Sequence, residues 1–371
     1  MQLLFATLLP RLLLTFACLS LGTLAQNCSR SDFTARNQSD INAITESCTE
    51  IAGELGLVDW SGPLRLPNIT RVRSITVYSG DLSSIDFPDL EYLGSDLRLT
   101  NLPSLDRVSL PNLESIDGLY VDLVGDAPVL QLPKLTNISS LHLRGNFSDQ
   151  SFDSLRNVEK ELDICNAVNC GFYSHMDAFT SMTLSFPALE RVGSLVVGGN
   201  VTSLSTPEVT AFTCNDCEWS ALYLKIYGVW PIAVDFPKLD TMGGNIYIRG
   251  DIADLSFPAL RNYTHEFIAI PNEPLNITLP VERGENFLFS GNVTDINLPN
   301  LKDFTRIHIG PDIDIDCDAL WDELDVTSGP LNETNVEEYF QCGDATSHLC
   351  NVHLGFTVGF AFLVTMLGFS G

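Results

Sequence analysis

Leu66-Pro67-Asn68-Ile69, Phe87-Pro88-Asp89-Leu90, Leu110-Pro111-Asn112-Leu113 and Leu132-Pro133-Lys134-Leu135 are copies of one tetrad: an apolar residue, a proline, a variable residue and a second apolar residue. Their prolines stand 21, 23 and 22 residues apart. The tetrad returns as Phe186-Pro187-Ala188-Leu189, Phe236-Pro237-Lys238-Leu239, Phe257-Pro258-Ala259-Leu260 and Leu298-Pro299-Asn300-Leu301. Degenerate copies at Phe152-Asp153-Ser154-Leu155, Thr206-Pro207-Glu208-Val209 and Leu279-Pro280-Val281 fill most of the gaps. A step of ~20–29 residues with apolar residues at fixed places is the signature of a leucine-rich or related β-solenoid.

A short alternating segment follows most tetrads: Ser74-Ile75-Thr76-Val77, Leu97-Arg98-Leu99, Leu119-Tyr120-Val121, Leu141-His142-Leu143, Leu195-Val196-Val197, Ile246-Tyr247-Ile248, Phe287-Leu288-Phe289 and Ile307-His308-Ile309. Period-two alternation turns one face of each segment inward, and one such strand per coil stacks into a parallel sheet. Proline suits the bend between strands because it cannot donate to a central ladder. The expected fold is mainly β, a right-handed parallel β-solenoid of about eleven coils with short helical caps.

The caps are legible too. Ser39-Asp40 opens an expected helix over Ile41–Cys48, bracketed by Cys28 and Cys48, and Cys317 and Cys342 bracket a second short helix around Ala319-Leu320-Trp321. Both cysteine pairs are expected as disulfides, each stabilising by ~2–4 kcal/mol.

Outside the caps the chain carries processing signals. Residues 1–25 hold Arg11, a Leu- and Phe-rich run and the small-residue exit Thr23-Leu24-Ala25, the pattern of a secretory signal. Leu354 to Phe369 is apolar, with no Lys or Arg after it. It is shorter than the ~20 residues of a membrane span, and small residues at Gly343-Asp344-Ala345 with a polar spacer fit a glycolipid-anchor signal instead. The expected anchor residue is Gly343, with Asp344 and Ala345 as neighbours. The divisions are 1–25 signal, 26–60 N-terminal cap with helix, 61–316 solenoid, 317–343 disulfide-closed cap and 344–371 anchor signal, removed.

Composition agrees with secretion. Asn-x-Ser/Thr begins at Asn27, Asn37, Asn68, Asn137, Asn146, Asn200, Asn262, Asn276, Asn292 and Asn332, more often than this composition gives by chance. Besides the caps, Cys165, Cys170, Cys214 and Cys217 remain, and in an oxidising compartment disulfides explain them better than a four-thiolate zinc site. Lys+Arg 20 against Asp+Glu 47 gives a formal charge of −27, which excludes nucleic acid as a partner, while 45% apolar content excludes a disordered acidic chain.

Taken together, the Cys28/Cys48 helical cap, the Phe-Pro-x-Leu coils from Leu66 to Leu301, the Cys317 to Cys342 segment and the anchor signal resemble the fungal extracellular-mutant and sporulation-specific family of GPI-anchored cell-wall organisation proteins. The resemblance implies a fold similar to the receptor L domain. It implies a surface glycoprotein needed for wall integrity, joined to the membrane by its GPI lipid, with cell-wall glucan or surface proteins as candidate partners, and brings no catalytic residue and no cofactor. One departure is that Leu331 to Gly343 is short and acidic where such proteins often carry a Ser/Thr-rich stalk. Asn146, Asn200 and Asn292 also occupy the asparagine place of a leucine-rich repeat, where the amide is buried. Glycans are the expectation there, because the receptor-L type of coil does not require that ladder.

Catalysis finds little support. The chain has no Gly-x-Ser-x-Gly elbow, no His-Glu-x-x-His and no phosphate-binding glycine loop, and His142 and His308 are expected to face outward from their strands. Asp312, Asp314, Asp316 and Glu323 are spaced like a calcium loop, but Cys317 stands where the turn wants glycine, so no metal is expected. The repeat breaks twice, in insertions between Asp153 and Pro187 and between Pro207 and Pro237. Each holds two cysteines, and their aromatics, Phe172, Tyr173 and Trp219 foremost, form a candidate platform for a glycan or protein. A receptor-like ectodomain and a β-solenoid carbohydrate-active enzyme are the alternative functions.

Overall fold

The computed structural model describes residues 28–123, 128–147, 149–167, 181–214, 220–324 and 340–343. The secretory signal, most of the anchor signal, Asn27, Cys170, Phe172, Tyr173, Cys217, Trp219, Asn332, Asp344 and Ala345 lie outside these residues.

The tetrad works as a hydrogen-bonded turn. In Phe87-Pro88-Asp89-Leu90 the Leu90 N–H donates to the Phe87 carbonyl at 3.5 Å, and the same bond recurs at Leu113 to Leu110, Leu189 to Phe186, Leu239 to Phe236 and Leu301 to Leu298, at 3.2–3.3 Å. Proline at the second place of such a turn fixes φ and gives up an N–H that has no partner to find there. The first residue's N–H instead reaches the next coil, Phe87 to the Ser109 carbonyl and Phe236 to the Ser256 carbonyl, both at 3.0 Å. Both apolar ends of these turns point into the core, with Phe87, Leu90, Phe186, Leu189, Phe236 and Leu239 fully buried. Neighbouring rings pack on one another: Phe152 on Phe186 at 5.4 Å and Phe236 on Phe257 at 5.7 Å.

Two turns differ from the pattern. Asn68 in the first copy adopts a left-handed conformation (φ 63°), and its N–H donates to the Asp89 carboxylate at 2.8 Å. Leu102-Pro103-Ser104-Leu105 is a further copy that the repeat count passed over, because it falls only eight residues before Pro111 and so lies off the ~22-residue step. It forms the same turn, Leu105 N–H to Leu102 carbonyl at 3.2 Å, with both ends buried.

Fourteen parallel strands follow one another in a long sheet, from Asp32–Ala35 to Phe340–Cys342, and two two-residue strands, Ala211–Phe212 and Thr241–Met242, pair beside it. The expected alternating segments are the second halves of these strands. Tyr92–Thr100 contains Leu97-Arg98-Leu99, and Asn137–Gly145 contains Leu141-His142-Leu143. The first halves were hidden because several strands carry a register shift in mid-course, between Leu93 and Asp96 and between Val158 and Glu161, which breaks the alternation. The sheet also starts earlier than residue 61, since Glu50–Leu57 pairs with Arg71–Val77.

Each coil was expected to supply one strand, and most supply two. Three shorter parallel sheets, of four, three and four strands, run ahead of the tetrads and form a second wall, from Trp60–Arg65 to Val293–Asn297. The core is the apolar column between the walls, and a single coil could not bury its share of it alone.

Helix α1 spans Gln38–Thr45, three residues earlier than expected, because Asn37 is the N-cap and its side chain accepts from the Ser39 and Asp40 N–H groups. Gln38 then covers an open sheet edge, donating to the Arg65 carbonyl at 2.7 Å and accepting from its N–H at 3.0 Å, as a neighbouring strand would. Helix α2 spans Cys317–Glu323, capped by Asp316. Cys28 is joined to Cys48 and Cys317 to Cys342, so both ends are closed by disulfides.

Replacing Phe236 by Ala removes a fully buried ring stacked between coils and is expected to cost ~3–5 kcal/mol, whereas Pro237→Ala is expected to cost about 1 kcal/mol or less. Urea unfolding followed by circular dichroism measures both, and equal losses would contradict this account of the turn.

Candidate functional site

The outer face of the long sheet carries the chemistry. Alternation leaves one outward side chain between the buried pair of each strand, and register lines these up across the coils: Thr76, Arg98, Tyr120, His142, Asp163, Val196, Tyr223, Tyr247. A second outward row two residues on holds Asp122 and Arg144, and further along Lys225 and Arg249.

Within the first row, Arg98 lies over the Tyr120 ring at 4.1 Å, and Tyr120 stacks on His142 at 4.7 Å with planes 14° apart. Asp96 holds the guanidinium from its own strand at 2.6 Å, and this bond raises the Arg98 pKa. Gly118 makes the stack possible, since a Cβ there would overlap the Tyr120 ring. His142 stands between two carboxylates, Nε2 3.5 Å from Glu161 and Nδ1 3.5 Å from Asp163. Asp163 is also held by Arg144, whose Nε donates at 3.0 Å. The Asp163 side chain is only 4% exposed. Burial alone would raise its carboxyl, but hydrogen bonds from His142 and Arg144 outweigh burial and hold it below the usual carboxylate range.

A second cluster lies across Val196. Tyr223 stacks on Tyr247 at 4.9 Å and 10°, and Lys225 sits beside Arg249 on the adjacent coil. Lys225 is buried, which together with Arg249 lowers its pKa, while burial raises the phenol of Tyr227.

This arrangement limits what the face can bind. Both faces of Tyr120 are covered, and Tyr223 and Tyr247 are stacked and buried, so these rings offer no open surface to a flat sugar face. Open aromatics among the described residues include Tyr78, 66% exposed near Arg98, and Trp230, 72% exposed beside Val229 at 77% in the turn before the strand Ile232–Asp235.

Of the expected platform, Phe172, Tyr173 and Trp219 lie outside the described residues; of the further aromatics in or beside the second insertion, Tyr223 is buried, Tyr227 half-buried and Trp230 exposed. The described residues before the first insertion end just past the long-sheet strand Asn157–Asn166 and resume before the second-wall strand Met182–Ser185, whereas the second insertion falls between Ala211–Phe212 and the long-sheet strand Leu222–Ile226. Cys165 and Cys214 are disulfide-bonded. Among the described residues no group of His, Cys, Asp and Glu is arranged to hold a metal. Asp316 of the calcium-like spacing caps α2, its carboxylate accepting from the Asp318 and Ala319 N–H groups. His308 faces outward as expected, its Nδ1 3.0 Å from Gln341. For acid–base chemistry the described carboxyl of interest is Glu266, which burial and Glu285 raise.

The sequons divide by exposure. Asn37, Asn68, Asn137, Asn262, Asn276 and Asn292 are exposed and Asn146 is half-buried. Asn200 differs from these in being 8% exposed. A buried asparagine that the sequence reading missed is Asn166, whose side chain accepts from Phe147 N–H and donates to the Asn200 carbonyl, both at 3.2 Å. Its signal was Leu162-x-Ile164-x-Asn166, one place short of the spacing sought.

A repeat solenoid with capped ends and a polar outer belt admits a comparison with known proteins. The chain is similar to protein ecm33 of Aspergillus fumigatus. The two are 24% identical over 266 residues, a match spanning 67% of this chain and 64% of the relative's length. No family model matches the chain, and no solved structure matches it. The similarity to ecm33 agrees with the family resemblance carried by the cap cysteines and the tetrads.

Asp163→Asn keeps the shape of the belt but removes the charge that Arg144 and His142 face; because Arg144 is half exposed and also near Glu161 and Asp122, a loss of about 1–2 kcal/mol is expected at neutral pH. Because the native carboxyl titrates lower than the unfolded one, its contribution is full above about pH 4 and is lost as pH falls through the native value. Melting curves of wild type and variant should therefore converge on acidification, and a gap independent of pH would contradict the role given to the charge.

Proposed function

We propose that the chain is a non-catalytic, GPI-anchored glycoprotein of the fungal cell surface that supports the organisation and integrity of the wall. The observation that carries the reading is the similarity to ecm33 across two thirds of the chain, in a solenoid whose tetrads and closed caps match the family resemblance.

In this reading the secretory signal is removed, the lipid is attached at Gly343 or its neighbours Asp344 and Ala345, and the disulfides and exposed sequons belong to an extracellular ectodomain. A formal charge of −27 spread along the coils resists self-association in a crowded wall. Release by a phosphatidylinositol-specific phospholipase C, with no further release by glucanase, is the expected outcome on intact cells. Protein freed by glucanase alone would place it in wall glucan, and protein freed by neither would overturn the anchor.

A receptor-like ectodomain for a glycan or protein is the second reading, favoured by the exposed Val229 and Trp230. Trp230→Ala is expected to leave the melting temperature unchanged and to weaken retention on immobilised wall polysaccharide at least tenfold. The triple change of Phe172, Tyr173 and Trp219 to Ala tests the insertions in the same assay. Full wall function with all four aromatics replaced would remove the binding reading, and product release from the polysaccharide would favour an enzyme.

A further inference from the structure

A groove of about 400 Å³ runs across four consecutive coils of the long sheet, well away from the aromatic belt's second cluster. One wall is Tyr92, Ser115, Asn137 and Asn157, which stand opposite one another at the start of their strands. The other wall is Gly94, Asp117, Ser139 and Glu159, and buried Leu93, Ile116 and Ile138 form the floor; register shifts between the first and second and between the third and fourth strands fall along it. Asn137 is therefore a wall residue of a polar trough and also the acceptor of the sequon Asn137-Ile138-Ser139.

Its side chain is held in place. Asn137 Nδ2 donates to Thr136 Oγ1 at 2.9 Å, and its Oδ1 accepts from Asn157 Nδ2 at 2.9 Å. The Asn157 Oδ1 is buried and makes no hydrogen bond, a vacant acceptor next to the point of attachment. Across the trough the Ser139 hydroxyl donates to Glu159 at 2.6 Å, which aims a carboxylate along the same wall, with Asp117 on the neighbouring coil.

We propose that this groove seats the first N-acetylglucosamine residues of a glycan carried by Asn137, so that this glycan is a packed part of the solenoid whereas those at other exposed sequons project into solvent. The inference rests on reading the chain as a secreted glycoprotein. Attachment joins Asn137 Nδ2 to C1 of the sugar and breaks the bond from C1 to the pyrophosphate of a lipid-linked oligosaccharide, which leaves with the electron pair. Nδ2 gives up one proton and keeps one, so its bond to Thr136 survives. The sugar hydroxyls are donors, and the trough offers the carboxylates of Asp117 and Glu159 as acceptors. The groove spans several coils at ~4.8 Å each, long enough for a short saccharide laid along the solenoid axis.

The test uses the full chain expressed in a fungal host, with occupancy of Asn137 read by peptide mass spectrometry. Hydrogen exchange is then compared for three forms: intact, trimmed by an endoglycosidase to a single sugar, and stripped by an amidase. Amides of 92–95, 115–118 and 137–140 should stay protected in the single-sugar form and exchange at least tenfold faster once stripped, matching Asn137→Asp. Asn137→Gln should lower the melting temperature by roughly 2–4 °C while Asn276→Gln leaves it unchanged. Glu159→Gln should lower it in the glycosylated protein and not in the stripped one. An unoccupied Asn137 would overturn the glycoprotein reading at this site. An occupied Asn137 whose removal leaves these amides and the melting temperature unchanged would overturn the groove alone.

Discussion

The structure depends on one constraint, that every coil must hand its backbone hydrogen bonds to the next. In a parallel ladder a strand cannot satisfy itself, and the chain meets this at its turns as well as in its strands. The residue after each tetrad repeats the link, Glu91 N–H to the Thr70 carbonyl, Glu114 to Glu91, Thr136 to Glu114, at 3.0–3.1 Å. The tetrad is the local device that keeps this step constant. Its proline removes the one donor that the ladder leaves idle, and its two apolar ends pin the turn to the core. Stability then accrues between neighbours, and the ends, which have a neighbour on one side only, need helices, a covering glutamine and disulfides.

The same constraint explains the outer belt. Once register is fixed, side chains on adjacent coils are held a few ångströms apart whether or not they attract, so the sequence must supply compatible neighbours. Arg98 over Tyr120, Tyr120 on His142, and His142 beside Asp163 form such a series, each contact using the coil spacing. Rings stacked at this spacing cover one another's faces, which is why a row rich in tyrosine is not a flat platform. In the trough of Asn137 the strands bulge, the spacing of side chains opens, and room for a saccharide appears.

Much of this was legible in the sequence. The tetrads gave the repeat and the turn because proline and buried apolar residues must recur wherever the chain bends inward. Leu97-Arg98-Leu99 and its counterparts gave the strands, and the cysteines gave the closed ends. Less legible were the features that need two coils at once. The second wall of short strands was missed, since Arg107–Ser109 and Val129–Gln131 are too short to show alternation. Asn200 read as a sequon like the others, and its burial follows from where neighbouring coils lie, which its own tripeptide does not encode.

By itself, then, the sequence determined a mainly β repeat solenoid with capped ends, because periodicity, turn chemistry and cysteine pairing are local signals written once per coil. Only the tertiary structure decided which outward residues meet. Asp163 with Arg144 and His142, Tyr223 with Tyr247, and Asn137 with Asn157 are separated by about one coil in sequence and become neighbours only when the register is set. Register depends on bulges and insertions that shift each coil by a residue or more, and a shift of one residue exchanges the inner and outer faces of a strand.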